Sequence, residues 1–295
     1  MHHGADRLAG GRRELPMTET DRAGALDDAR PLAWSRIALG TLFLLRTTPL
    51  LVPLRLPFLI GTTPLLGWPT TSWHGQAVFL GASAGTVAAA CVVRTLAAFC
   101  FLVGYRTRLS GLVAGSLGYF VMFQYPFGFN ATLHLLFQGT MLLALTDAGA
   151  VLALRPSSVR NPRSGKLLIR VFLASIYFWA GLCKLRHDWW DGRTLGLFHD
   201  NGIISGTLAD FVLQTSWRRQ LVARSVAATE LCLPVLLLWS RTRRWAPFVA
   251  LGMHATLELA ARPDLLGWEM AALLLCLMSP RSTVPPSMSR HSLSA

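Results

Sequence analysis

Eight apolar stretches, separated by short arginine-bearing segments, constrain this chain more than any other feature. They run over about 33–52, 77–103, 109–126, 131–153, 167–185, 221–239, 245–260 and 264–280. A helix needs about 20 mostly apolar residues to cross the hydrocarbon layer, and open irregular backbone cannot face lipid. The expected fold class is therefore all-α: a polytopic transmembrane helical bundle of about eight spans. With 52% hydrophobic and only 15% charged residues, the chain has too little polar surface for an ordinary soluble globule. One further apolar run, LRLPFLIGTTPLLGWP at 54–69, holds Pro57, Pro64 and Pro69 where a straight helix needs amide donors, so it reads as interfacial or re-entrant.

The net charge of +13 would raise nucleic-acid binding in a soluble protein. Here the basic residues sort by side instead. One set of loops and tails carries Arg106, Arg108, Arg155, Arg160, Arg163, Lys166, Arg241, Arg243 and Arg244 with the arginines of both ends; the other carries Arg55, Arg186, Arg193, Arg218, Arg219 and Arg262. The positive-inside bias then puts both termini in the cytoplasm and the long loop 186–220 outside, in a multi-pass protein of the cell membrane. The expected partner is the lipid bilayer, with no nucleic acid.

Residues 1–30 hold five arginines and six acids with no apolar core, which predicts a disordered cytoplasmic tail, and Met17 reads as well as a start as Met1 does. The Ser- and Pro-rich stretch 281–295 predicts a flexible cytoplasmic end, leaving 31–280 as one transmembrane domain. The five cysteines lie in or beside apolar segments without ligand-like spacing, so they read as reduced core residues, and no metal is expected.

Six cations fall inside the apolar segments: Arg36, Arg46, Arg94, Arg170, Lys184 and Arg224, along with Asp147, Glu230, Glu258, Glu269, His134 and His254. A charge at mid-bilayer costs a few kcal/mol at least, so such groups pair or line a wet cavity. Arg36, Arg170 and Arg224 lie near segment ends and are expected to reach water. Arg94 lies mid-segment, which implies an anionic partner such as Glu230 or Glu258. His254 and Glu258 are four residues apart on one helix face, the spacing of half a metal site or of a hydrogen-bonded pair that tunes proton transfer.

Lys184 stands out by scarcity: it is one of two lysines among 28 cationic side chains. Arginine cannot lose its proton in a protein, whereas a desolvated lysine can act as a base. The other reading is an amine stabilised by helix-terminal carbonyls and by the nearby Asp188 and Asp191.

Residues 31–280 resemble the HTTM or vitamin K-dependent γ-carboxylase-like membrane domain. The resemblance rests on RIALG at Arg36–Gly40, LVGYRTRL at Leu102–Leu109 and IYFWAGLCKLRHDWWDG at Ile176–Gly192, with TELCLPVLLL around Glu230 and MHATLELA around His254. It implies a quinol- and oxygen-dependent chemistry with reduced vitamin K or menaquinol as cofactor, in which Lys184 removes the quinol proton. His254 and Glu258 would be a proton-transfer pair, and Asn130 a hydrogen-bond donor to the quinol or a developing oxyanion. Arg36, Arg46, Tyr177 and Trp179 would be cofactor contacts, with Arg94 a further counter-charge. The carboxylases carry Asn-Asn-His where this chain has Phe129-Asn130-Ala131-Thr132, so only the asparagine is kept. They also carry a large extramembrane domain that grips a glutamate-rich peptide, which has no counterpart in these 295 residues. The expected substrate is therefore a small molecule or small peptide, acted on at the outer face. Two readings stay open, a membrane enzyme of this type and a non-catalytic partner for maturation, export or immunity of a peptide product.

Overall fold

A computed structural model describes residues 19–47, 69–71, 77–79, 82, 84–123, 130–202, 204, 206–260 and 266–278. Each of the eight apolar segments holds a helix. These are α1 (Glu19–Thr47), α2 (Ala84–Val103), α3 (Thr107–Met122), α4 (Ala131–Ala144) and α5 (Pro162–Cys183). After α5 come three short helices, α6 (His187–Trp190), α7 (Arg193–Asp200) and α8 (Thr207–Leu213), and then the long α9 (Ser216–Leu238). Finally α10 (Ala246–Ala260) and α11 (Leu266–Leu274) follow, with a 3-10 turn over Leu275–Leu277. Added to the helices is an antiparallel pair of three-residue strands, β1 (Pro69–Thr71) and β2 (Ala77–Phe79), in register Thr70 to Val78. The interfacial segment expected at 54–69 lies, apart from Pro69, outside the described residues.

Among the described residues, three helices are long and apolar enough to cross a membrane: Thr86–Val103, Pro162–Cys183 and Ser216–Leu238. Shorter apolar helices occupy Ala131–Ala144 and Leu266–Leu277. Only 22% to 33% of the residues in the three long apolar windows are buried, so most of their apolar surface points outward. Val92, Leu96 and Phe99 on α2, Val171 and Trp179 on α5, and Val235 and Leu238 on α9 are about half exposed or more. So much outward apolar surface has a physical solvent in lipid and none in water.

Helix α1 runs through the centre, packing against α2, α4, α5 and α11, and it fully buries Leu32, Ala33, Leu39 and Phe43. Its start corrects the expected disordered tail. The helix begins at Glu19, and Asp28 is fixed by Lys166 Nζ at 2.9 Å and Arg163 Nε at 3.5 Å on α5. The charges that make residues 19–30 read as solvated are thus partly used in docking α1 onto α5. Burial alone pushes the Asp28 carboxyl up, but the hydrogen bond and charge of Lys166, with Arg163, outweigh it. The group is held below its ordinary value of 3.8.

The span expected over 131–153 stops at Ala144, because the chain after it turns tightly and its polar groups are satisfied inside the protein. Asp147 accepts hydrogen bonds from the backbone amides of Arg160 (3.1 Å) and Asn161 (2.7 Å). Residues 186–220, expected as an outer loop, form a small helical cap in which Leu195, Ala209 and Leu213 pack on Ala223 of α9. Gly192, at φ 78°, opens α7 where a Cβ would fall 2.8 Å from Arg219 of α9, so the cap closes onto α9 at a residue without a side chain. All five cysteines are free, but Cys183 and Cys232 face outward and only Cys276 is buried, which corrects their reading as core residues.

Candidate functional site

Beside the cap α5 packs against α9, and glycine sets the approach. A Cβ at Gly181 would lie 2.8 Å from Leu231 Cγ and 3.0 Å from the Leu231 backbone nitrogen, so only glycine allows this approach. Tyr177, Gly181 and Lys184 are spaced by four and three residues, which puts them on one face of α5, turned to α9.

At the end of that face the Lys184 ammonium meets Glu230 of α9, with Nζ at 2.9 Å from one carboxylate oxygen and 2.7 Å from the other. The side chains are 21% and 9% exposed, so the pair is largely withdrawn from water, with the amine on the wetter side. The ring of Trp189 covers the amine at 5.1 Å from its centroid, and the indole N–H is pinned to the Ala223 carbonyl at 3.0 Å. Lys184 is also the residue that closes α5, with Nζ 3.5 Å from the Ala180 carbonyl. The helix-terminal part of the simpler reading therefore holds. Of the two aspartates, Asp191 engages His187 and Arg193 instead.

Two turns back on α5, the buried Tyr177 hydroxyl lies 3.0 Å from Nε2 of the buried His254 on α10. The pairs Lys184–Glu230 and Tyr177–His254, two turns apart on one face of α5, thus form a polar line across three helices.

Several expected roles are revised by these contacts. His254 and Glu258 do not pair: His254 turns to Tyr177, while Glu258 accepts the Gly267 amide at 2.9 Å, closing α10 onto α11. Asn130 caps α4, its side-chain oxygen accepting the Leu133 amide at 3.1 Å. Arg36 does not reach water. It is fully buried and donates to the Ala148 carbonyl at 2.6 Å and to those of Val151 and Leu152, holding the turn after α4. Arg94 donates to the Thr47 carbonyl at 2.8 Å, so its partner is a helix-terminal carbonyl rather than Glu230 or Glu258. Arg46 is buried in the last turn of α1. Trp179 lies on the opposite side of α5 from Tyr177, is 61% exposed, and takes no part in the line.

The pairing of Glu230 with Lys184 is what residue reasoning missed. Its one visible signal is a lone glutamate in the apolar run TELCLPVLLL, a group that calls for a cation without saying which.

Comparison with known families matches residues 69–280 to the HTTM domain. No curated protein and no solved structure matches the chain. The match covers most of the sequence, including the α5 motif, the α9 glutamate and the α10 histidine, and the chain belongs to the HTTM domain family.

Proposed function

We propose that this is a multi-pass protein of the cell membrane, with about eight spans and both termini cytoplasmic, that carries out a base-initiated, quinol- and oxygen-dependent modification of a small molecule or peptide at its outer face. The observation that carries the reading is the Lys184–Glu230 couple, an amine and a carboxylate in direct contact at the end of a membrane-length helix. Passing the ammonium proton to Glu230 leaves a neutral amine and a neutral acid, which avoids holding two full charges where water is scarce.

The donor set fits a hydroquinone in its chemistry: an amine to take a phenolic proton, a carboxylate to exchange one with it, and the Trp189 ring beside the amine. A bound hydroquinone would supply the acidic O–H and, with oxygen as oxidant, the electrons. Lys184 would take up the proton, Glu230 would hold the proton the ammonium has given it, and Tyr177 with His254 would extend the line of exchangeable protons. Arg46 would be a counter-charge within the bundle. Arg36, Arg94 and Asn130, used in holding backbone, are left out of this scheme.

Membranes containing the full chain, given reduced menaquinone or vitamin K and oxygen, are expected to form the quinone epoxide above the level of membranes lacking it. Conversion at that background level overturns the reading.

A second reading, a non-catalytic partner for a peptide product, is favoured by the cap. Trp190 on α6, Phe211 on α8 and Trp217 at the start of α9 are exposed there and would receive an apolar peptide. It predicts that function depends on residues 186–220 and survives Lys184→Arg.

A further inference from the structure

On the arginine-rich side of the bundle, a cavity of about 1020 Å³ opens between the first turns of α5, the turn before α10 and the end of the 3-10 segment. Arg163, Lys166, Arg170, Arg243 and Arg244 line it against one acid, Asp28. Asp28 is used by Lys166 and Arg163. Among the described residues, Arg170, Arg243 and Arg244 have no acidic partner, and all three line the same cavity. Like charges gathered without a counter-ion are held at a cost, which an anion seated between them would remove. The stretch after the 3-10 turn, 279–295, contains no Asp or Glu that would supply one.

The remaining wall is apolar: Leu167, Trp245, Phe248 and Leu277. Leu167 and Phe248 are 51% and 58% exposed and continue outward into Leu168 and Val171 on α5 and Val249 on α10, the surface that faces lipid. Arg244 lies over the Trp245 ring at 5.2 Å from its centroid, where charge and apolar surface meet. The space is far larger than one phosphate ion needs and matches an amphiphile with an anionic head and an apolar body.

We propose that this groove binds the phosphate headgroup of an anionic glycerophospholipid, with Arg170, Arg243 and Arg244 on the phosphate and the acyl chains along Leu167 and Phe248. The site lies away from Lys184 and does not depend on any chemistry there.

The test uses the purified full chain in a non-ionic detergent, titrated with phosphatidylglycerol, with phosphatidylcholine of the same chains, and with inorganic phosphate, bound lipid being counted by native mass spectrometry. Phosphatidylglycerol is expected to bind at least tenfold better than phosphatidylcholine, at about 1 kcal/mol per interfacial cation or roughly fivefold each. Arg244→Gln should weaken it about fivefold, and the Arg170→Gln/Arg243→Gln double variant about thirtyfold, with phosphatidylcholine binding unchanged. Arg244 is exposed, so its variant keeps the test intact if the double variant fails to fold. Equal binding of the two lipids, an unchanged preference in Arg244→Gln, or displacement of the lipid by inorganic phosphate at equal concentration overturns the proposal.

Discussion

Lys184 Nζ on α5 and the Glu230 carboxylate on α9 lie 2.7 Å apart at the nearer oxygen, 46 residues apart in sequence and largely withdrawn from water. Breaking a buried pair from one side strands the other charge, whereas replacing both partners with apolar groups can be near neutral. Lys184→Met and Glu230→Leu should each lower stability by about 3 kcal/mol, and the double variant should recover most of that loss. Thermal unfolding of the four proteins in one detergent gives the cycle. Additive losses would show that the two side chains do not interact.

Gly181 permits the approach that makes this pair. Gly181→Ala drives a methyl to 2.8 Å from Leu231 Cγ and 3.0 Å from its backbone nitrogen, so α5 and α9 must separate. A loss of about 1–3 kcal/mol in unfolding free energy is expected. The Glu230→Leu penalty should also shrink in that background, because the pair is already loosened.

Arg36 is a structural clamp in this fold. Arg36→Met leaves the carbonyls of Ala148, Val151 and Leu152 without their donor and should cost about 3 kcal/mol. Hydrogen exchange should rise first over residues 145–155, while α9 and α10 stay protected.

Acid should loosen the α1–α5 contact. The Asp28 carboxyl is depressed in the folded state, so its contribution is fully present above its unfolded value near 3.8 and is lost as pH falls through the lower folded value. Asp28→Asn should remove that part of the acid dependence and leave the profile above pH 5 flat relative to wild type. Unfolding midpoints measured between about pH 6 and 2.5 decide it.

Much of this was legible in the sequence because apolar length is read directly: every expected segment holds a helix, and Lys184 was marked by its rarity. Partners were less legible, because they depend on which helices touch. Arg94 implied an anionic partner such as Glu230 or Glu258, yet Glu230 meets Lys184 because α5 and α9 approach through a glycine that gives no charge signal. His254 and Glu258 share a face, but Tyr177 and the Gly267 amide offer each a better-placed partner. Arg36 was expected to reach water from a segment end; in fact α1 continues upstream to Glu19 and buries it. Charges at residues 19–30 read as tail because their partners, Lys166 and Arg163, lie more than 130 residues away.

The most direct measurement of the central claim compares hydroquinone oxidation by wild type and by Lys184→Arg, in membranes with matched protein levels. Arginine keeps the positive charge beside Glu230 but cannot give up its proton. The variant is expected to fold, retain the ion pair and fall to the background rate. Turnover by Lys184→Arg equal to wild type would contradict the claim and leave Lys184 as a helix-pairing charge alone.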